Sequence, residues 1–196
     1  HRRVSGAGAS YVMSPFTHVS PNWSGRFHDG SFGAYYAANK AETALAETMH
    51  HRSRIYRASN EDPGWFSQYR ELIGKVDHNF HDLTARDDCA EFLNPDSYTL
   101  SQTFARDLRQ TGSDGIIYPS VRHKGGLCLA AFWPNVIGIP QQARHFAYHF
   151  NGHIVRRHMK WPRLWARLRE TLLTSLVDIM RRLCGIASVD VRLSFA

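Results

Sequence analysis

Apolar and polar positions along the chain divide it into short elements. The small apolar residues of Gly33–Ala38 predict a short buried strand. Strong helix formers follow from Ala41 to about His51 and predict a helix directly after that strand. Asn39 is the expected N-cap of this helix, and Glu42 stands at the spacing of a capping box. We therefore expect Glu42 to be a structural residue.

Most other elements of the first three-quarters of the chain are predicted strands. Strands are expected at Tyr11–Met13, Arg54–Ala58, Val76–Leu83, Ile116–Tyr118, Leu127–Phe132, Phe146–Phe150 and Ile154–Val155, while Trp65–Leu72 is ambiguous. Gly125-Gly126 and Asn151-Gly152 predict hairpin turns. Asp96 or Ser97 begins a second helix, which Gly112 closes. Because strands and helices do not alternate strictly, we predict an α+β fold rather than a doubly wound one.

The pattern changes after Lys160. Apolar residues recur there at helical spacing, namely Leu164, Leu168, Leu172, Leu176, Ile179 and Leu183. They predict one basic amphipathic helix of about twenty residues. We therefore divide the chain into a body at residues 1–158 and a helical appendage at residues 159–196. The appendage could pack on the body, join a partner's helix, lie on an anionic membrane surface or be foreign to the fold, and these alternatives stay open.

Length and composition limit the class of protein. With 196 residues, 43% apolar and 21% charged, the chain is typical of one soluble globular domain, with or without an appendage. No apolar run approaches the roughly 20 residues of a membrane span. Three widely spaced cysteines favour a reducing compartment, so we expect a cytoplasmic protein. Because the chain opens on His1 without a methionine, we expect residues to be missing from its N-terminus.

The net charge of +7 is concentrated in the appendage. Residues 1–150 carry 15 Lys and Arg against 14 Asp and Glu, whereas residues 151–196 carry 9 against 3. A body so close to neutral is a poor nucleic-acid-binding surface. The 12 histidines lack an H-E-x-x-H or a cysteine pattern, so we assign them to structural or surface positions and expect no metal site.

Three polar residues stand where the predicted elements would hold them in place. Glu47 falls at the edge of the apolar face of its helix, so its carboxylate meets the rim of the core. Ser120 follows an apolar strand, without the G-x-S-x-G elbow of a serine hydrolase. Arg26 lies in a loop upstream. Taken singly, these three residues are consistent with a surface carboxylate, a strand-end hydrogen-bonding group and a surface salt bridge.

The order and spacing of these residues resemble the RES domain family, which is named for its Arg, Glu and Ser. The resemblance rests on Gly-Arg-Phe around Arg26, on Tyr36 ten residues later, and on Ala-Leu-Ala-Glu ending at Glu47. It continues with Asp-Gly-Ile-Ile-Tyr-Pro-Ser-Val-Arg, which contains Ser120, and with Gly-Gly-x-Cys after it. It covers about residues 1–155.

The resemblance implies a fold akin to the mono-ADP-ribosyltransferases, with a split, mostly antiparallel sheet around a cleft for NAD. It also implies an enzyme that degrades NAD by cleaving the nicotinamide–ribose bond, with water or phosphate as acceptor. NAD is then the substrate, and neither a cofactor nor a metal is expected. The implied catalytic residues are Glu47, Arg26 and Ser120. The implied substrate-binding residues are Tyr36, preferred over Tyr35 by spacing, and Arg3, for which Arg2 is an equal alternative.

The residue types suit this chemistry. Loss of nicotinamide passes through an oxocarbenium-like ribosyl cation, which a carboxylate such as Glu47 stabilises. Arginines such as Arg26 offer a pyrophosphate a planar fork of donors. The chain has no G-x-G-x-x-G motif, which argues against a Rossmann site that uses NAD for hydride transfer.

The resemblance further implies a biological role and a partner. Members of the family are toxins of bacterial toxin–antitoxin pairs. The expected partner is a cognate antitoxin of the helix-turn-helix, Xre type that blocks the cleft, so nucleic acid would be bound only through the complex. Two other functions stay open: a mono-ADP-ribosyltransferase that modifies a protein, and a non-enzymatic interaction module.

Overall fold

The computed structural model describes residues 2–84, 87–158 and 189–193. Three α-helices lie in this part of the chain: α1 (Ala9–Thr17), α2 (Ala41–Ala58) and α3 (Thr99–Gln110). The strands are β1 (Tyr35–Ala38), β2 (Phe66–Val76), β3 (His81–Asp82), β4 (Gly115–Pro119), β5 (Leu127–Ala131), β6 (Gln141–Phe150), β7 (Val155–His158) and β8 (Val189–Leu193). Short 3-10 helices cover Asp87–Leu93 and Pro134–Val136.

The eight described strands form one sheet in the order β3-β4-β5-β1-β8-β2-β6-β7. The pairs β1/β5, β2/β6, β4/β5 and β6/β7 are antiparallel, and the others are parallel. β8 joins the two halves of the sheet, and its only register pair with β1 is Ala38 with Asp190. The mixed α+β class predicted from the sequence is confirmed, whereas the likeness to mono-ADP-ribosyltransferases stays a prediction.

The pleat of the β4–β5–β1 half decides which residues face the larger helices. Successive strand residues point to opposite faces of a sheet. One core cluster combines alternate residues of these strands with α2 and α3: Tyr36, Tyr118, Cys128, Ala44 and Ala105. A second cluster takes the intervening residues and α1: Tyr35, Ile117, Leu129 and Val12. Helices α2 and α3 therefore cover one face of this half, and α1 covers the other.

Two predicted strands are wrong, because both segments are helical. Tyr11–Met13 lies in α1, and Arg54–Ala58 is the last part of α2. Tyr56 belongs to a core cluster with Tyr148 and Phe150, so packing of α2 against β6 and β7 extends the helix beyond His51. The β-branched and aromatic residues that suggested a strand are those that make this tertiary contact.

The predicted capping box of α2 is also wrong. The N-cap is Lys40, and its side chain makes no cap hydrogen bond. The Asn39 side chain instead accepts a hydrogen bond from the backbone N–H of Leu127 at 2.9 Å, so it links the start of the helix to β5. Glu42 is exposed in the first turn of α2, where a negative charge favours the helix dipole.

The bounds of several other strands and helices agree more closely with those predicted from the sequence. The strands around both predicted hairpins, β4/β5 and β6/β7, pair antiparallel as expected. Gly112, with φ +85°, follows α3 in the left-handed conformation that ends a helix. The expected Val76–Leu83 strand is wrong in its centre, because β2 ends at Val76 and β3 is short. The ambiguous Trp65–Leu72 segment mostly forms β2.

The predicted amphipathic helix of the appendage lies outside the described residues. Within residues 159–196, Val189–Leu193 forms β8 between β1 and β2 of the sheet. No helix in the described ranges is long and apolar enough to cross a membrane.

Candidate active site

Glu47 and Ser120 meet where α2 crosses the end of β4. The Ser120 hydroxyl donates a hydrogen bond to Glu47 Oε1 at 2.6 Å. Glu47 lies in the middle of α2 and is half-buried, whereas Ser120 directly follows β4 and is only 9% exposed. Two regular elements therefore hold this pair, as the rim position of Glu47 and the strand-end position of Ser120 suggest.

The surroundings of Ser120 fix the direction of its proton. Its Oγ accepts hydrogen bonds from the backbone N–H groups of Arg122 at 3.2 Å and His123 at 3.0 Å. A serine hydroxyl has two lone pairs and one hydrogen. Because the backbone occupies both lone pairs, the hydrogen is directed to Glu47. Ser120 is therefore a donor that orients the carboxylate and is not set up as a nucleophile.

Arg26 is buried and holds a neighbouring segment in place. Its Nη1 donates to the backbone carbonyls of Phe92 at 3.1 Å and Asn94 at 2.7 Å. The guanidinium also lies over the ring of Tyr98, 4.6 Å from its centroid. The expected surface salt bridge is absent among the described residues, because Arg26 is 6% exposed and pairs with carbonyls and an aromatic face.

Arg26 and Glu47 both lie close enough to Tyr118 for their charges to act on its hydroxyl. Burial raises the pKa of the Tyr118 hydroxyl well above its usual value; the charge of Glu47 raises it further and that of Arg26 lowers it. Both charges therefore reach Tyr118, which packs edge-on against Phe27, the residue after Arg26, at 4.8 Å between centroids.

Tyr36 faces this site through β1, whereas Tyr35 faces the opposite side of the sheet. The Tyr36 hydroxyl accepts a hydrogen bond from the backbone N–H of Phe27 at 2.9 Å. A Cβ at Gly25 would lie 2.8 Å from that hydroxyl, so the loop approaches it closely only because Gly25 has no side chain. Tyr36 therefore positions the loop that carries Arg26.

Two histidines, which the sequence pattern assigns to structural or surface positions, lie on the same helix as Glu47. His50 and His51 follow Glu47 on α2 at the spacings that share a helix face. Burial, and after it neighbouring positive charges that include Arg122 and Arg26, lowers the pKa of each imidazole to about 4. Both rings are therefore neutral at neutral pH, and the arginines supply the positive charge. Their i+3 and i+4 spacing from Glu47 is the sequence pattern that indicates a shared helix face.

Arg122 parallels Arg26 in its contacts. Its Nη2 donates to the backbone carbonyl of Pro95 at 3.1 Å. Arg26 and Arg122 together thus bind three carbonyls of the segment from Phe92 to Pro95. Cys128 adds a thiol near the carboxylate, with Sγ 3.8 Å from Glu47 Oε1.

The N-terminal arginines are not brought to this site. Arg2 pairs with Asp114 at 2.8 Å and lies over the ring of Trp133. Asp114 precedes β4 and Ser120 follows it, so Arg2 is at the opposite end of that strand. Arg3 is exposed beside it.

No group of three or more His, Cys, Asp or Glu side chains suited to a metal ion occurs among the described residues.

The fold and the site define a small α+β domain with a serine-oriented carboxylate among arginines and aromatic rings.

Comparison with known proteins identifies the family. A family model described as "RES domain" matches residues 1–151. An uncharacterized protein, y4oC, of Sinorhizobium fredii (strain NBRC 101917 / NGR234) is 27% identical over 148 residues, which are 73% of this chain and 58% of that relative. The chain thus spans little more than half the length of this relative. Since the family match covers most of the chain, the protein belongs to the RES domain family, as its motifs predict.

Proposed function

We propose that this RES domain consumes NAD by cleaving the bond between nicotinamide and ribose. The observation that supports the proposal best is the 2.6 Å hydrogen bond from Ser120 to Glu47, which orients the carboxylate. NAD is the substrate of this reaction, and the proposal requires no cofactor.

The proposed reaction depends on the charge of Glu47. When the nicotinamide–ribose bond breaks, its electron pair leaves with nicotinamide and the ribose acquires oxocarbenium character. A fixed anion stabilises this positive charge more in the transition state than in the substrate. The Ser120 hydroxyl keeps Glu47 in place. The two backbone N–H groups that donate to Ser120 Oγ prevent this hydroxyl from turning away from Glu47.

Arg26 and Arg122 are the proposed ligands of the NAD pyrophosphate. Both guanidinium groups bind backbone carbonyls between Phe92 and Pro95, so both lie beside this segment, and a guanidinium can bind phosphate oxygens bidentately. Planar donor forks suit a pyrophosphate better than a lysine does. Tyr36 contributes by holding the Arg26 loop. Arg3 stays the proposed further substrate contact, with Arg2 as its alternative.

The proposed biological role is that of a toxin. Membership of the RES domain family suggests a toxin–antitoxin context, in which loss of NAD arrests growth and an Xre-type antitoxin neutralises the enzyme. We propose that the protein acts in the cytoplasm and meets nucleic acid only through that antitoxin.

The test is product analysis with the purified 196-residue chain. Incubation with NAD, with and without inorganic phosphate, should release nicotinamide, which chromatography quantifies. Free ADP-ribose identifies water as acceptor, its phosphate ester identifies phosphate, and label transferred to protein identifies a mono-ADP-ribosyltransferase. If neither condition yields nicotinamide or labelled protein, the enzymatic proposal is wrong and an interaction module is the better explanation.

A further inference from the structure

The thiol of Cys128 adjoins the same carboxylate oxygen as Ser120. Its Sγ lies 3.8 Å from Glu47 Oε1, which also receives the Ser120 hydroxyl at 2.6 Å. Cys128 pairs with Tyr118 of β4 on one side and with Ala38 of β1 on the other. Because strands flank it on both sides, its backbone is fixed relative to Ser120.

The thiol acts toward the carboxylate as a donor. Cys128 is 2% exposed. Burial first, and the negative charge of Glu47 second, raises the pKa of the Cys128 thiol to about 12, so it is protonated at neutral pH. A protonated thiol is a weak hydrogen-bond donor, and a carboxylate oxygen can accept from more than one donor.

The two carboxylate oxygens of Glu47 therefore differ in their hydrogen-bond partners. Oε1 has the hydroxyl of Ser120 and the thiol of Cys128 as neighbours. Oε2 accepts no hydrogen bond from any residue within 2–84 and 89–157, where the structure describes side-chain contacts. The acceptor capacity of Oε2 is thus left for a ligand.

We propose that Cys128 is a positioning residue, whose thiol acts with the Ser120 hydroxyl to fix Oε1 of Glu47 and so direct Oε2 toward the ribose of the substrate. The kinetic consequence rests on the proposed function, whereas the contact between thiol and carboxylate does not. The thiol forms no bond to the substrate and loses no proton during turnover.

The kinetic test compares two substitutions at one position. Cys128→Ala removes the donor and should lower kcat for nicotinamide release about threefold to tenfold, the effect of one weak hydrogen bond, with KM for NAD unchanged. Cys128→Ser keeps a donor and should restore most of the loss. Cys89→Ala is the matched control, because Cys89 is a buried cysteine of the same core cluster and should retain wild-type kcat.

A merely structural cysteine would give a different result. If Cys128→Ala has wild-type kcat, or if Cys128→Ser loses as much as Cys128→Ala, the positioning role is wrong. A rise in KM with unchanged kcat would contradict it as well, since it would indicate lost substrate binding.

An infrared measurement tests the contact without any activity. The S–H stretching band of Cys128 is identified by its disappearance in Cys128→Ala. Hydrogen bonding lowers an S–H frequency, so Glu47→Ala should move this band to higher frequency and leave that of Cys89 in place. An unchanged Cys128 band would overturn the proposal. If wild-type protein releases no nicotinamide, the proposed function fails, and this band still decides the contact.

Discussion

The hydroxyl of Tyr36 accepts a hydrogen bond from the backbone N–H of Phe27, so a strand residue fixes the loop that carries Arg26. Phe27 is fully buried, so its N–H is shielded from solvent that could otherwise replace that bond. The role of Tyr36 is therefore to position a loop through its hydroxyl, in addition to any contact of its ring with a substrate.

Replacement of Tyr36 by Phe tests this role. The ring is kept, but a buried N–H loses its acceptor, which should lower the free energy of unfolding by about 1–3 kcal/mol. Tyr35→Phe is the control, because the Tyr35 hydroxyl is buried with no hydrogen-bond partner among the described residues and its loss should be neutral or stabilising. Urea unfolding of both variants measures the difference. Equal stability of the two would contradict the role.

Glu47→Gln should lose at least about 100-fold in kcat, the size expected for one preorganised electrostatic group. The amide keeps the size of the side chain and can still accept from Ser120, so stability should change little. Glu42→Gln is the matched control on the same helix, where an exposed carboxylate should leave kcat unchanged. Nicotinamide release measures both. A nearly normal Glu47→Gln enzyme would disprove the role of the charge.

Ser120→Ala removes the donor to Glu47 and the acceptor of two backbone N–H groups. We expect kcat to fall by about tenfold or more and the free energy of unfolding to fall by about 1–2 kcal/mol. Ser113→Ala, at the other end of β4, also removes a hydroxyl that accepts from a backbone N–H, but it should leave kcat intact. If both variants lose only stability, Ser120 is structural.

Arg26→Lys replaces a planar guanidinium, whose Nη1 binds two carbonyls, with a single ammonium group. The KM for NAD should rise, and limited proteolysis near Phe92 and Asn94 should become faster because their tether is weakened. Arg70→Lys, at an exposed position of β2, serves as the control. Unchanged KM with unchanged proteolysis would show that the fork is dispensable.

His28 should make folding stability depend on pH. Burial lowers the pKa of its imidazole to about 4, although the charge of Asp29 opposes this effect. The unfolded chain, with a histidine pKa of about 6.5, binds the proton first as the pH falls. The contribution of His28 to the free energy of unfolding is therefore fully present above about pH 6.5 and is lost between that pH and about pH 4.

His28→Gln should accordingly flatten the plot of unfolding free energy against pH in this range. His153→Gln, at an exposed turn position, is the control. The difference in slope between His28→Gln and wild type removes the contribution of carboxylates, which also titrate at low pH. Parallel plots for His28→Gln and wild type would contradict the prediction.

Local sequence patterns predicted the elements that local forces decide. The turn at Asn151-Gly152, the end of α3 at Gly112 and the strands β4 and β5 follow from turn chemistry and apolar runs. The strand predicted at Arg54–Ala58 is wrong, because the helix there is stabilised by the contact of Tyr56 with Phe150, which a short stretch of sequence cannot show.

The sequence by itself determined the family and the identity of the main candidates, because the spacing of Arg26, Tyr36, Glu47 and Ser120 is a linear property of the chain. Only the tertiary structure decided what each side chain can do. It brought Ser120 to Glu47, turned Arg26 inward to two carbonyls, and placed Cys128 beside the carboxylate. The physical reason is that hydrogen bonds and burial depend on distances between residues far apart in sequence, which strand pairing and helix packing alone establish.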